Sequence, residues 1–342
     1  MSVLPIWRAD QKKIPASKVD AHVSDAALEL ASSIESIKLA TDSYKNAPLA
    51  AALVQLAMDR CLQQLAATGL WGQENRMPSN TLYNIVGHQL ERGWLQNRAR
   101  KKPLGYAGDH QLLTRICNRT ATEDRLGFCF DQYFLSQSAP EAVRQRTNLA
   151  ARHIAHGAIN RKDRFCVLGV GCGPALEIDQ AVNLLGGHCK ASIQVTLLDL
   201  CGDAVSGAEK RISELLPPQN ITAIRENLPR LPQRVNVEQT LGTPHLILCP
   251  GLFDYLEDTV ATGLLELFWR QLAPGGTLLI GNFAPNHATR AYMEWIGNWY
   301  LMYRSYDAMV NLADRAGLPL DCLEVGTEST GEDWFLVARK LS

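Results

Sequence analysis

The sequence predicts an α/β protein, in which an N-terminal helical domain precedes a doubly wound sheet of seven mostly parallel strands. Helical periodicity alone accounts for the first hundred residues. From about residue 160 onward, short apolar strands alternate with helices, as they do in a parallel sheet covered on both faces. A glycine-rich turn joins the first strand to the helix after it. We therefore expect a helical domain over residues 1–137 and a sheet domain over residues 138–342.

Length, charge and cysteine usage narrow the class of protein. A chain of 342 residues suffices for two domains with a substantial core. Its 34 Lys and Arg balance 35 Asp and Glu, which excludes a general binder of nucleic acid. We find no apolar run near the ~18 residues of a membrane span and no secretory signal pattern. Nine cysteines without a CxxC pair indicate free thiols in a reducing compartment, so we expect a cytoplasmic protein.

Periodic apolar positions predict the helices that precede the sheet. Ser24 and Ser79 are expected to cap the first and third of them, because serine accepts hydrogen bonds from free N–H groups at a helix start. The basic run at residues 98–102 is typical of a solvated helix end. A last helix begins near Ser138, which opens a capping box, and extends towards Asn160.

Seven apolar segments predict the strands of the sheet domain. They lie near residues 165–168, 194–199, 221–224, 245–249, 277–281, 321–325 and 334–338. Helical segments separate the earlier strands, for example residues 204–215 and 264–272. Crossover helices of this kind predict parallel pairing.

A glycine loop and an acidic residue mark a candidate ligand site. Gly169, Gly171 and Gly173 follow the first strand, where glycines let the backbone approach a ligand in front of a helix N-terminus. Asp199 ends the next strand, 26 positions beyond Gly173, close to the ~20-residue offset of a ribose-binding carboxylate. Together they favour a nucleoside ligand, and the alternative is a structural turn with a capping aspartate.

These features belong to a wider set of motifs. Residues 249–255 follow the fourth strand, and the turn at residues 274–276 precedes the fifth. The set resembles the class I S-adenosylmethionine-dependent methyltransferases, whose sheet is Rossmann-like, and it covers residues 160–340. The resemblance implies S-adenosylmethionine as cofactor. The residues that it places around the cofactor are Gly169, Gly171, Cys172, Gly173, Glu177, Asp199, Leu200, Asn227, Leu228, Pro250, Gly251, Phe253, Tyr255 and Arg144.

One departure from the family pattern concerns the cofactor's amino group. The family's first motif usually begins with an acidic residue where this chain has Gly169, and Ala175 stands in place of its third glycine. The amino group would therefore lack its usual partner. Glu177, which follows the loop, is a candidate partner for this amino group. It is equally an ordinary acid in the first turn of a helix, where it would interact favourably with the helix dipole.

Further segments resemble a narrower family, the bacterial synthases of 3-hydroxy fatty acid methyl esters, also called the extracellular factor family. The matching segments are residues 105–109, 142–146, 251–256, 281–286, 293–295 and 299–304. This resemblance implies methyl transfer to a small carboxylate. Such an acceptor is ionised at pH 7 and needs a cationic anchor, for which Arg144, Arg146 and Arg304 are candidates. The residues that we expect at the transfer site are Tyr106, Asp109, Asn282, Tyr303 and Arg304.

Two other functions remain open at this point. With the acid at Gly169 missing, the cofactor's amine could attack its own γ-carbon, giving azetidine-2-carboxylate and methylthioadenosine. The domain could also sense the cofactor or act as a scaffold without catalysis. No cysteine or histidine spacing indicates a metal site. We expect a small-molecule substrate, and the oligomeric state, with a homodimer as one option, stays open.

Overall fold

The computed structural model describes residues 14–159, 161–186 and 192–341. The chain divides into two compact units. The first comprises Met1–Glu141 and Asn286–Tyr300, and the second comprises Ala142–Pro285 and Leu301–Ser342. The boundary predicted at residue 137 lies close to the first crossing between units. A single boundary does not account for Asn286–Tyr300, which returns to the first unit.

Helices build the first unit. They are α1 (Ala16–Ala40), α2 (Ala47–Ala66), α3 (Arg76–Leu90), α4 (Trp94–Lys101), α5 (His110–Cys117), α6 (Arg125–Leu135) and the start of α7 (Ser138–Ile159). The expected caps at Ser24 and Ser79 are wrong, because both residues lie inside helices. Val19 and Val23 are already buried, so the apolar stripe of α1 begins before Ser24. Ser79 instead donates its hydroxyl hydrogen to the carbonyl oxygen of Trp295, at 3.1 Å.

A buried acid holds the returning segment in the first unit. Glu294 is fully buried and accepts hydrogen bonds from the Gly72 N–H at 2.7 Å and the Asn75 amide at 3.0 Å. It also pairs with Arg290 at 2.7 Å. A buried carboxylate with three donors is well compensated, and it fixes its segment in place.

The second unit contains a mixed sheet of seven strands, which confirms the predicted fold class. The strands are β1 (Arg164–Val170), β2 (Ser192–Asp199), β3 (Ile221–Arg225), β4 (Leu246–Cys249), β5 (Thr277–Phe283), β6 (Leu323–Thr327) and β7 (Asp333–Arg339). Their order is β3-β2-β1-β4-β5-β7-β6, and only β7 runs antiparallel to its neighbours. The remaining helices are α8 (Leu176–Leu185), α9 (Gly202–Ile212), α10 (Val237–Leu241), α11 (Asp258–Gln271) and α12 (Tyr306–Arg315).

Both faces of this sheet are buried, which explains its apolar strands. On β1, Val167 belongs to the core on one face and Leu168 to the core on the other. The strand order reverses between β1 and β4. From β1 the chain adds β2 and β3 on one side, and it then returns to add β4 and the later strands on the other side. Ligands of such sheets bind at this reversal, beyond the carboxyl ends of the strands. Within the described ranges, no helix combines the length and apolarity of a membrane span.

Candidate functional site

The glycine loop leaves β1 at the strand-order reversal. Gly171 and Gly173 have φ of +62° and +50°, in the left-handed region that favours glycine. A Cβ at Gly171 would lie 3.3 Å from the Cβ of Leu252, so glycine lets this loop pack against the loop after β4. The Cys172 N–H donates to the carbonyl oxygen of Leu198 at 3.0 Å, which ties the loop to β2.

Gly169 itself lies within β1, and its backbone does not require glycine. A Cβ there would meet the Leu197 side chain at 3.4 Å and the Cβ of Cys172 at 3.7 Å, which is ordinary van der Waals contact. Neither the backbone conformation nor these contacts therefore exclude a side chain at position 169.

Asp199 connects the ends of β1 and β2. Its Oδ2 accepts from the Gly173 N–H at 2.9 Å, and its Oδ1 accepts from the Cys201 N–H at 2.9 Å. The side chain is nearly buried. The two backbone donors use one lone pair on each oxygen, so the carboxylate can still accept further hydrogen bonds. Asp199 thus orders the glycine loop and offers acceptor sites beside it.

Three predicted cofactor residues lie at the same edge of the sheet. Leu200 follows Asp199 and is half exposed. Asn227 follows β3 and is exposed, and its N–H donates to the Glu226 carboxylate at 3.0 Å. Leu228 is buried, with a side-chain carbon 3.9 Å from where a Cβ of Gly171 would lie. β2, β3 and the glycine loop therefore converge on one apolar-walled corner.

The loop after β4 lies against β5. A Cβ at Gly281 would lie 2.3 Å from the Pro250 carbonyl oxygen, so only glycine permits this approach. Gly251 continues the loop, and Tyr255 is partly exposed at the end of a short 3-10 turn. Phe253 differs from the expectation, because its side chain is fully buried in the core between the sheet and α11. The Phe253 side chain therefore anchors the loop after β4 in this core.

Glu177 occupies the first turn of α8, directly behind the glycine loop. Burial raises its pKa to about 7, while the positive charges of Arg146 and Arg211 act in the opposite direction. Burial likewise raises the pKa of the Cys172 thiol, so this cysteine is a neutral wall residue. A buried carboxyl group of this kind favours a cationic ligand group, because the cation would stabilise its ionised form.

Arg146 on α7 lies between two buried acids. Its Nη1 is 3.3 Å from Asp333 and 3.6 Å from Asp254. Burial raises the pKa of Asp254 to about 6, against the attraction of Arg146, and it also raises the pKa of Asp333. The Nη2 of Arg146 is 2.9 Å from where a Cβ of Gly251 would lie. Within the residues that the structure describes, only Nη1 donates a hydrogen bond.

Arg144, the expected cofactor residue, lies on a different side of α7. Residues two apart on an α-helix are separated by about 200° around its axis. Arg144 is buried, but Arg146 is the arginine beside the loop after β4. Both arginines belong to one run of the sequence, residues 142–146, and nothing in that run distinguishes them. The distinguishing acids are distant in the sequence: Asp254 lies in the 3-10 turn after β4, and Asp333 begins β7.

Arg304 and Asn282 have structural partners, contrary to the expectation of a transfer site. Arg304 donates to the carbonyl oxygens of Phe253 and Leu256, to the Asn282 Oδ1 and twice to Asp258, at 2.5–3.1 Å. These bonds use all five guanidinium donors. Asn282 donates to the carbonyl oxygens of Phe283 and Met302. Arg304 therefore has no N–H left to bind an acceptor carboxylate, and we reassign both residues to support of the β4 and β5 loops.

Asp109, predicted at the transfer site, has partners within the first unit. It is fully buried and accepts at 3.0 Å from the N–H groups of Gln111 and Leu112 at the start of α5. Arg98 pairs with it at 2.7 Å, so this member of the basic run is not a solvated charge. Tyr106 is half-buried in the preceding loop, and Tyr303 is half-buried in the second unit.

Comparison with known proteins gives a fold likeness. No protein-family model and no curated protein matches the chain. A solved structure from Bordetella parapertussis, described as a possible exported protein, is 16% identical, with a TM-score of 0.56 over 97% of this chain and 100% of its own. The CurJ carbon methyltransferase is 12% identical, with a TM-score of 0.49 over 97% and 94%.

The N-methyltransferase NodS from Bradyrhizobium japonicum, in complex with S-adenosyl-L-homocysteine, is 18% identical. Its TM-score is 0.41, over 68% of this chain and 98% of its own. TM-scores below 0.5 do not establish that the two methyltransferases share the fold of this chain. The Bordetella structure shares the fold of the chain, and at 16% identity the likeness extends no further.

Proposed function

We propose that the protein is an S-adenosylmethionine-dependent methyltransferase that acts on a small molecule. The observation that carries the proposal is the pairing of Asp199 with the glycine loop at the strand-order reversal. A carboxylate at the end of β2, held by a loop N–H, is placed to accept hydrogen bonds from ribose hydroxyls. Leu228 offers an apolar wall beside it for a base.

The residues present fit this cofactor. Gly171 and Gly173 leave the loop backbone open, and Asp199 keeps free lone pairs. Glu177 suits the cofactor's ammonium group, because its pKa of about 7 falls when a cation approaches. We propose that Glu177 replaces the acid that is missing at Gly169. The bound cofactor would supply a methyl group activated by its sulfonium.

The acceptor that fits these residues is a carboxylate, such as a 3-hydroxy fatty acid, which would leave as its methyl ester. An ionised carboxylate needs no general base, so the protein's contribution is orientation and exclusion of water. We assign the anchoring role to Arg146, whose Nη2 is directed at Gly251. Arg146 is nearly buried, which strengthens its attraction for an anion.

No observation favours the alternative in which the cofactor cyclises to azetidine-2-carboxylate. That reaction needs an amine without a carboxylate partner, and the buried Glu177 stands close to the glycine loop. Nor does any observation favour a sensor or scaffold without catalysis. A cytoplasmic location is a further part of the proposal, in keeping with eight free cysteines among the described residues.

Product analysis by mass spectrometry tests the proposed reaction. The protein is incubated with S-adenosylmethionine alone and with medium-chain 3-hydroxy acids. We expect S-adenosylhomocysteine and a methyl ester only when an acid is present. Release of methylthioadenosine without an acceptor would contradict methyl transfer.

A variant tests the role of Arg146 in the same assay. Arg146→Lys keeps one positive charge between Asp254 and Asp333, but it removes the Nη2 donors to which we assign the acceptor carboxylate. We expect a KM for the acid raised about tenfold, with little change in the affinity for the cofactor. An unchanged KM would remove Arg146 from the acceptor site.

A further inference from the structure

A cavity of the second unit lies at the edge of the sheet opposite to the glycine loop. It is a groove of about 670 Å³ bordered by the amino ends of β1, β4 and β5. Arg339, at the end of the antiparallel strand β7, pairs with Thr277 at the start of β5 and so reaches the same edge. The C-terminal half of α7 closes one side. The groove is therefore separate from the carboxyl edge that carries Asp199.

Positive charge dominates the lining of this groove. Arg152 comes from α7, Arg161 from the turn after it and Arg339 from β7, and the lining contains no aspartate or glutamate. Arg339 pairs with Glu324 at 2.6 Å, but both side chains are more than half exposed. Neither Arg152 nor Arg161 forms an ion pair with any residue that the structure describes. With a net charge of -1 for the whole chain, this concentration of arginines is local.

Histidines add hydrogen-bond donors to the arginines. The Nδ1 of His245 is 2.9 Å from the Cys166 backbone nitrogen and accepts its N–H. The neutral ring therefore carries its proton on Nε2, where it is a donor. His153 and His156 also line the groove, from α7.

Burial, together with nearby cations, lowers the pKa of two of these histidines. For His153 the causes are burial, then Arg339 and His156, with Glu324 acting in the opposite direction. For His245 they are burial, then Arg161 and Arg164, with Asp163 opposing. Both rings thus experience a positive environment that an anion would neutralise.

An apolar wall accompanies the charges. Phe165 stacks on the His245 ring, with centroids 5.9 Å apart. A Cβ at Gly157 would lie 2.3 Å from the Phe165 ring, so glycine at this point of α7 makes room for the aromatic side chain. Leu149 and Leu246 complete the wall. The groove thus presents apolar carbon on one side and cations on the other.

Helix-dipole stabilisation explains only part of the arrangement. A cation in the last turn of α7 would stabilise that end of the helix, which suits His156 but not Arg152, two turns earlier. Arg339 lies on a strand, and its guanidinium converges on the same groove from another element. Convergence from three elements onto one cavity is what a binding site for an anion requires.

We propose that this groove binds a small molecule that carries a phosphate monoester and an apolar body. Arginine matches the geometry of phosphate oxygens with paired N–H donors, and three arginines favour a dianion over a single carboxylate. The apolar wall accommodates the remainder of the molecule. This site is independent of the proposed methyl transfer, since it uses none of the residues at the carboxyl edge.

Calorimetric titration with three probes tests the proposal. The probes are phenyl phosphate, inorganic phosphate and benzoate. We expect phenyl phosphate to bind most tightly and benzoate most weakly. The assignment would be overturned if phenyl phosphate did not bind, or if benzoate bound as tightly as phenyl phosphate.

Variants locate the binding. Arg161→Gln and Arg339→Gln should each weaken phenyl phosphate binding about tenfold, and Arg270→Gln, an exposed control, should not. Thermal unfolding of each variant verifies that it is folded, and the two groove variants come from different elements. Unchanged affinity in both folded variants would refute the site. Titration of S-adenosylmethionine into the same variants should be unaffected, so failure here is distinguishable from failure of the methyltransferase proposal.

Discussion

The chemistry of the candidate site depends on a few buried charges, each with defined partners. Asp199 receives a backbone N–H on each oxygen, so it stabilises the glycine loop even without a ligand. For Glu177, burial outweighs a backbone hydrogen bond and the charges of Arg146 and Arg211, and it raises the pKa to about 7. Arg304 is fully engaged by its neighbours, whereas Arg146 is not. These differences decide which residues are available to a ligand.

Asp199→Asn tests the acceptor role of this carboxylate. The amide keeps one oxygen for an N–H, but it loses the charge that strengthens hydrogen bonds from ribose hydroxyls. We expect the affinity for S-adenosylhomocysteine, measured by equilibrium dialysis, to fall about 10- to 100-fold. Asp203→Asn, in the exposed first turn of α9, is the matched control and should change nothing. Equal affinities for the two variants would contradict the role.

Glu177 predicts a pH dependence of cofactor binding. Its pKa is about 7 in the free protein, so the carboxyl group is mostly neutral below pH 7 and mostly ionised above it. Only the ionised form attracts an ammonium group. Affinity should therefore decrease as the pH falls from 8 to 6, by at most about tenfold per pH unit. Calorimetry of Glu177→Gln should show a flat profile, and a slope like that of the wild type would exclude Glu177 as the cause.

Arg304→Ala should affect stability. Removing this buried guanidinium leaves the carbonyl oxygen of Leu256 without its donor, removes one of two donors from the carbonyl oxygen of Phe253, and takes a partner from Asn282. We expect the free energy of unfolding to fall by about 3 kcal/mol in urea denaturation. Arg315→Ala removes a partner of Asp258 that is exposed and 3.9 Å away, so a loss within about 0.5 kcal/mol is expected. Similar losses in the two variants would contradict the structural assignment.

At the scale of elements, close packing between strands and loops shapes the carboxyl edge. The loop after β4 touches the glycine loop through Leu252 and touches β5 at Gly281. At Gly281 the Pro250 carbonyl leaves no space for a methyl group, whereas at Gly171 a methyl group would meet the Leu252 side chain at 3.3 Å. The site geometry therefore depends on these two close approaches as much as on the charged residues.

Gly281→Ala tests this packing. Its Cβ would lie 2.3 Å from the Pro250 carbonyl oxygen, so the strand or the loop must move. We expect the free energy of unfolding to fall by about 1–3 kcal/mol and cofactor affinity to decrease with it. Gly207→Ala is the control, because no atom lies within 4 Å of where a Cβ at this position in α9 would be. Alanine has the higher helix propensity, so this variant should be more stable by about 0.5–1 kcal/mol. A neutral Gly281→Ala would refute the close approach.

The strands were predictable from the sequence, whereas several side-chain roles were not. Each predicted strand overlaps an observed one, because a sheet buried on both faces requires continuous apolar runs. The start of α1 was predicted wrongly, since a serine inside a helix looks like a cap in the sequence. The partners of Asp109 and Arg304 include backbone groups and distant side chains, which no local pattern reveals.

At the scale of the whole molecule, the chain passes between two units and back again. Asn286–Tyr300 joins the helical unit although it follows β5 in the sequence. Its anchoring acid, Glu294, accepts a hydrogen bond from Asn75, 219 positions earlier. A local sequence pattern cannot predict a partner at that separation, and the sequence therefore predicts one boundary where the chain crosses between the units more than once.

Titration of S-adenosylmethionine into the whole protein by isothermal calorimetry tests the central proposal most directly. The account predicts saturable binding with one site per chain, and loss of that binding in a folded Asp199→Ala variant. Absence of binding to the wild type, or equal binding to the folded Asp199→Ala variant, would contradict it.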